Sequence, residues 1–140
     1  MAVQRTFAFI KPDAVERNLV GRILARFEEE GLRIVALKMV RMTRSQAEKL
    51  YSVHIGKPFY QELVDYVTSG PVVLMVLEGE DAVRRVREII GATNPREAAP
   101  GTIRAEYGLD VTRNTIRAAD SPENAVREMT IFFTQDDIVG

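Results

Sequence analysis

An α+β sandwich, with helices packed on a four-stranded antiparallel sheet in βαββαβ order, is the fold this sequence predicts. Three observations carry it. Residues 6–10 and 71–77 are short, near-continuous apolar runs stopped by turn residues, the pattern of buried strands. Residues 19–30 and 81–90 place their apolar side chains at helical spacing, on one face each. Glycine and proline punctuate the joins, at Lys11-Pro12-Asp13, Gly31, Ser69-Gly70-Pro71, Glu78-Gly79 and Gly91.

Each element has its local reason. Thr6-Phe7-Ala8-Phe9-Ile10 is rich in aromatic and β-forming residues and reads as the first strand. Leu19, Val20, Ile23, Leu24 and Phe27 share one face of a helix that Gly31 ends. Residues 32–42, β-branched in the middle, read as a second strand. Thr43 and Gln46 have capping-box spacing and open a helix through Ala47, Leu50 and Tyr51. Gly56-Lys57-Pro58 breaks it, and Pro58 opens another through Phe59, Leu63, Val64 and Val67. Residues 71–77 are the central strand. The helix over 81–90 turns Val83, Val86, Ile89 and Ile90 inward and Arg84, Arg85 and Arg87 outward.

Residues 91–121 hold Pro95, Pro100, Gly101 and Gly108 with little periodicity, and read as a long ordered loop of functional character. Ser121 caps the next helix, with Pro122 at its first position and Glu123 in its first turn. That helix is expected over 122–128, a last strand over 129–133, and a polar surface tail after it. The order is the ferredoxin-like plan, with helices on one face of the sheet and residues 1–140 as one domain. That plan hosts many functions, and none follows from it alone.

Composition excludes several chemistries. The chain has no cysteine and one histidine, which removes disulfides, thiolate metal sites, cysteine nucleophiles and histidine-rich metal centres. Its formal net charge of −1 gives no reason to expect nucleic acid or an anionic membrane as a partner. No apolar run approaches the ~20 residues of a membrane span and no signal-peptide pattern opens the chain, so a cytoplasmic location is expected. Neither a G-x-x-x-x-G-K-[ST] loop nor a G-x-G-x-x-G fingerprint occurs. His54, the one imidazole, is expected at a surface or rim well away from the other polar groups, which leaves no base for a serine triad.

What remains is a dispersed set of cationic and polar groups: Lys11, Arg87, Thr93, Arg104, Asn114 and Arg117. Lys11 ends the first strand, where a lysine is either solvated or placed to meet a phosphate. Together these are the donor types that hold a polyphosphate, with Tyr51 and Phe59 as surfaces for a base.

The wording of the chain is more specific. Arg5-Thr6-Phe7, Ile10-Lys11-Pro12-Asp13-Ala14, Lys57-Pro58-Phe59, Ser69-Gly70-Pro71-Val72-Val73, Leu77-Glu78-Gly79, Gly91-Ala92-Thr93-Asn94-Pro95, Ala99-Pro100-Gly101-Thr102-Ile103-Arg104 and Asn114-x-Ile116 resemble nucleoside diphosphate kinase along essentially the whole chain. The resemblance implies a homo-oligomer, a hexamer ahead of a tetramer, that binds nucleoside di- and triphosphates with Mg2+. It implies ping-pong transfer of a γ-phosphoryl group through a phosphohistidine. Carried over by position, Lys11 and Arg104 meet the outer phosphates, Arg87 and Thr93 the β-phosphate side, and Asn114 with Lys11 the sugar hydroxyls. Phe59 stacks on the base, Tyr51 lies beside the reacting centre, and Glu128 orients the nucleophile. Residues 99–104 pack at the trimer contact. No metal ligand comes from the protein, the ion being held mainly by the nucleotide phosphates.

The departure lies at the centre. Where the family reads Asn-x-x-His-(Gly/Ala)-Ser-Asp, this chain reads Asn114-Thr115-Ile116-Arg117-Ala118-Ala119-Asp120. The resemblance therefore puts Arg117 at the phosphohistidine position and Ala119 at that of the serine. Neutral imidazole offers a lone pair near pH 7, whereas guanidinium stays protonated with delocalised nitrogen electrons. Loss of a nucleophile commonly costs on the order of 10⁴- to 10⁶-fold in turnover. The expectation is a nucleotide-binding scaffold with its chemistry disabled, as engineering or deliberate inactivation would leave it. The alternative is a non-catalytic nucleotide-binding or assembly module that never needed the transfer.

Overall fold

The computed structural model describes residues 3–140. Four strands form one antiparallel sheet in the spatial order β2-β3-β1-β4, from β1 (Val3–Ile10), β2 (Arg33–Val40), β3 (Val72–Glu80) and β4 (Ile116–Ala118). β1 and β3 lie at the centre, and Phe7, Ala8, Phe9 and Ile10 face Val76, Met75, Leu74 and Val73 across the ladder. All eight are buried, which places apolar side chains on both faces of the sheet.

Both faces are therefore covered, rather than the one expected. Against one face pack α2 (Val20–Glu29), α5 (Ala82–Ile90) and α6 (Ile103–Tyr107), closing a core of Ala8, Ile10, Ile23, Phe27, Met75, Val86 and Ile116. Against the other pack α3 (Arg44–Leu50), α4 (Tyr60–Val67) and α7 (Pro122–Phe132), around Phe7, Phe9, Leu50, Val64, Leu74 and Met129. A strand apolar on every residue exposes hydrocarbon on whichever side is left open, so the extra helices follow from β1 and β3. A short helix, α1 (Pro12–Glu16), was not anticipated.

Local signals behave as their chemistry requires. Thr43 accepts from the Gln46 N–H, and the Gln46 side chain accepts from the Thr43 N–H, a complete capping box. Ser121 accepts from the Asn124 N–H and Pro122 occupies the first turn of α7. Gly91 closes α5 with φ +95°, where a Cβ would stand 2.5 Å from the Thr102 hydroxyl.

The last strand is corrected. Residues 129–132 continue α7, and the fourth strand is Ile116–Ala118, inside the stretch read as loop. The run Met129-Thr130-Ile131-Phe132-Phe133 suits either state by composition. Phe132 stacks on Phe7 at 5.1 Å between ring centroids, and that contact comes from a helix lying over β1. The remainder of 91–121 is also more structured than expected, with a 3-10 turn at Pro95–Glu97 before α6.

Candidate functional site

β1 ends between two partner strands, so the residue after Ile10 cannot reach open solvent. Lys11 is 3% exposed, its N–H donating to the Thr115 carbonyl and its Nζ to the Thr112 carbonyl at 3.1 Å. The solvated reading of this lysine is thereby excluded. Burial, then the Arg104 and Arg117 cations beside it, lower its pKa to about 7.

Arg104 comes from α6 and reaches back across the loop. Its Nη1 donates to the Gly91 carbonyl at 3.0 Å and its Nη2 to the Ile116 carbonyl at 2.8 Å. Its buried Nε has no partner among the described residues. Burial, then Arg87 and Arg117, bring its pKa down to about 10. Burial and neighbouring cations thus disfavour the charged form of both groups, which favours an anion beside them.

Asn114 is buried and donates from Nδ2 to the carbonyls of Thr93 and Val111, while its Oδ1 lacks a partner among the described residues. Thr115 follows with φ +82°, and the Ile116 N–H returns to the Asn114 carbonyl at 2.9 Å, a tight γ-turn. A β-branched residue in that region is strained by about 1–3 kcal/mol. The strain sits two residues before Arg117 and turns the chain from the loop into β4.

Arg117 pairs with Phe9 in the β1–β4 ladder, and its side chain spans the cleft floor to α7. Nη1 donates to Glu128 Oε1 at 2.8 Å and Nη2 to Oε2 at 2.9 Å, a two-pronged ion pair with a fully buried carboxylate. Its Cζ stands 5.4 Å from the centroid of the Tyr51 ring. Burial alone would lower the Arg117 pKa, but the Glu128 hydrogen bonds, then the Tyr51 hydroxyl and the Glu128 carboxylate beside it, outweigh it and hold the guanidinium protonated. The Tyr51 hydroxyl, buried and without a hydrogen-bond partner among the described residues, is pushed up to about 12, chiefly by burial. Ala119 is buried two residues on, its N–H donating to the Phe7 carbonyl.

Lys11, Tyr51, Phe59, Arg87, Thr93, Arg104, Asn114 and Arg117 all line one cleft of about 480 Å³, large enough for a small-molecule ligand. Phe59, 43% exposed, presents an open ring at the rim. The Arg87 guanidinium makes no hydrogen bond or ion pair among the described residues. Two predicted site residues have no surface on the cleft: Glu128, which stands behind Arg117, and Ala119, which is fully buried.

His54 is where expectation and structure part. It lines the same cleft, with ring centroids 5.2 Å from Phe59 and 6.2 Å from Tyr51. Burial, then Lys57 and Arg117, lower its pKa, so it is neutral near pH 7. The 3-10 turn Ser52–His54 folds the chain back after α3 and brings the ring in. Its spacing three residues from Tyr51 was the available signal. Asp120 also lines the cleft and was not singled out.

A metal ion finds little protein to hold it. Among the described residues no three His, Cys, Asp or Glu groups gather as ligands. Both Glu128 oxygens are taken by Arg117, and Asp120 Oδ1 accepts from Asn124 Nδ2 at 2.6 Å. These residues fit an ion carried on a ligand's own phosphate oxygens, and build no separate magnesium site. Among the described residues no helix is long and apolar enough to cross a membrane.

Comparison with known proteins agrees with this arrangement. The family model of nucleoside diphosphate kinase matches residues 4–138. The nucleoside diphosphate kinase of Hyperthermus butylicus is 59% identical over 140 residues, covering 100% of this chain and 99% of that one. That of Saccharolobus solfataricus is 58% identical over 138 residues, covering 99% and 100%. The solved Aquifex aeolicus nucleoside diphosphate kinase superposes with a TM-score of 0.96 at 52% identity, over 99% of this chain and 100% of that chain. The Halobacterium salinarum enzyme, solved in complex with CDP, gives 0.95 at 44% identity, over 99% and 93%. With the family model spanning nearly every residue and the fold superposing end to end, this chain belongs to the nucleoside diphosphate kinase family.

Proposed function

We propose that this chain binds nucleoside di- and triphosphates in the Lys11–Arg104 cleft and does not carry out ping-pong phosphoryl transfer at a useful rate. The observation that supports the loss is the state of Arg117. A transfer through this position needs a nitrogen lone pair to form the N–P bond as the bridging P–O bond breaks, with the diphosphate leaving. The guanidinium is protonated, and both its outer nitrogens already donate to Glu128. The carboxylate that would orient an imidazole is occupied by a cation instead.

Binding is supported by the groups left without protein partners. Among the described residues Lys11 Nζ has one acceptor, Arg104 Nε has none, Asn114 Oδ1 has no donor, and Arg87 makes no hydrogen bond. In this reading Lys11, Arg87, Thr93 and Arg104 hold phosphates, Asn114 the sugar, and Phe59 the base. Mg2+ enters on the phosphates. The same reading includes a cytoplasmic homo-oligomer, a hexamer ahead of a tetramer. The edge strand β2, which takes a backbone hydrogen bond from the Val139 N–H at the Val35 carbonyl and leaves Leu37 and Met39 exposed, supports self-association, which light scattering on the eluting protein measures.

The deciding experiment is phosphoryl transfer from ATP to a second nucleoside diphosphate, run on this chain beside Arg117→His with Ala119→Ser. Silence in the first and turnover in the second is the expected result. Substantial transfer by the unaltered chain refutes the proposal and directs attention to His54, the neutral imidazole in the same cleft. Silence in both identifies a binding module whose chemistry cannot be restored at these two positions.

A further inference from the structure

Arg117 has donors that its ion pair does not use. A guanidinium carries five N–H groups in one plane, and Glu128 takes one from Nη1 and one from Nη2. Nε–H and the outer N–H beside it form a second parallel fork, the arrangement that matches two oxygens of a phosphate. Among the described residues that fork meets no acceptor: Nη1 and Nη2 donate to Glu128 alone, and Nε to nothing. One face of the guanidinium stands over the Tyr51 ring, 5.4 Å from its centroid, so the free donors lie at the edge. Arg117 lines the cleft while Glu128 has no surface on it, which makes the unused edge the part of the pair a ligand can reach. Its charge acts there, since Arg117 is among the cations that lower the pKa values of Lys11 and Arg104. Asp120, the carboxylate lining the cleft, has its Oδ1 held by Asn124.

We propose that Arg117 holds a third phosphate through this free fork, so that the cleft retains nucleoside triphosphates in preference to diphosphates. The inference rests on the nucleotide-binding reading and names the nucleotide the site selects. With the base on Phe59 at the rim, a diphosphate ends among Lys11, Arg87 and Arg104, and one further phosphate runs on toward the floor that Arg117 closes. Arg117 offers N–H donors and no lone pair, so the terminal phosphate is bound there without being transferred. Glu128 keeps the guanidinium charged and fixes its plane, and the free edge meets the ligand already oriented. Magnesium rides on the phosphates of both nucleotides and does not separate them.

The test is titration calorimetry of the full chain with ATP and with ADP, both in excess magnesium. The expected result is a Kd at least about tenfold lower for ATP, the worth of one charge-assisted fork. Arg117→Gln combined with Glu128→Gln removes the fork without leaving a buried charge alone, and should bring the two Kd values within about threefold of each other. If ATP binds no more tightly than ADP to the unaltered chain, the inference fails while the nucleotide reading stands. If neither nucleotide binds, both fail. If the double variant folds and keeps the full preference, Arg117 is not the contact and the inference is overturned. The two titrations on the unaltered chain decide the preference even where the variant does not fold.

Discussion

Arg117 on β4 and Glu128 on α7 meet side-on through two hydrogen bonds of 2.8 and 2.9 Å, so an ion pair closes the floor of the cleft. The pair also joins the sheet to the helix that covers it. Because Glu128 is fully buried, its charge is tolerable only while Arg117 remains, Arg127 standing at a looser 3.5 Å.

Removing one partner should therefore cost more than exchanging both. Arg117→Ala leaves an almost uncompensated buried carboxylate and should destabilise by about 3 kcal/mol in urea unfolding. Arg117→Met combined with Glu128→Leu should lie within about 1 kcal/mol of the unaltered chain. An equal loss in both would show that the charge pair itself, rather than the burden of an orphaned charge, matters.

Lys11 makes ligand binding pH-dependent. Its folded pKa of about 7 lies below the ordinary 10.5, so between those values the unfolded chain holds one proton more than the folded one. Its contribution to the stability of the free protein accordingly rises with pH across that window and is level below it. A phosphate beside Nζ draws the pKa back up, so binding at pH 8 should take up a proton. Affinity should fall by about tenfold from pH 6.5 to pH 8.5 through this group. Calorimetry in buffers of different ionisation enthalpy counts the proton, and Lys11→Met should abolish the uptake.

Tyr51→Phe should trade affinity for stability. The hydroxyl is buried and lacks a partner, so its removal should stabilise the free protein by about 1 kcal/mol. If that hydroxyl serves the ligand, the same variant should bind ADP more weakly. Thermal unfolding with and without ADP reads both, and the shift conferred by the ligand should shrink.

Gly91→Ala should damage the site from a distance. At φ +95° and ψ −179° the position belongs almost only to glycine, and the new Cβ would collide with Thr102, which caps the helix bearing Arg104. The Gly91 carbonyl is also an acceptor for Arg104 Nη1. A loss of about 2 kcal/mol in stability is expected, with weaker phosphate binding beyond it.

Much of this protein is local, and so was legible in the chain. β1 and β3 announce themselves as apolar runs, Thr43-x-x-Gln46 and Ser121-Pro122 cap their helices, and Lys11 follows a strand whose end is marked by proline. The motif wording pointed to the family, and the residues it marked for ligand contact line one cleft. Each of these signals lies within a few neighbouring residues, where propensity, capping and spacing act.

Only the tertiary structure decided the rest. Ile116–Ala118 is three residues long, too short for any periodicity, and is a strand because β1 offers Ala8, Phe9 and Ile10 as ladder partners. Met129–Phe132 has a composition that suits a strand and is a helix because Phe132 stacks on Phe7. His54 enters the cleft through a turn whose direction depends on what Tyr51 packs against. Glu128 becomes the closed half of an ion pair because α7, packed on β1, brings it to Arg117 on the neighbouring strand β4. In each case the deciding contact joins residues far apart in the chain, and its free energy belongs to the pair of surfaces rather than to either segment.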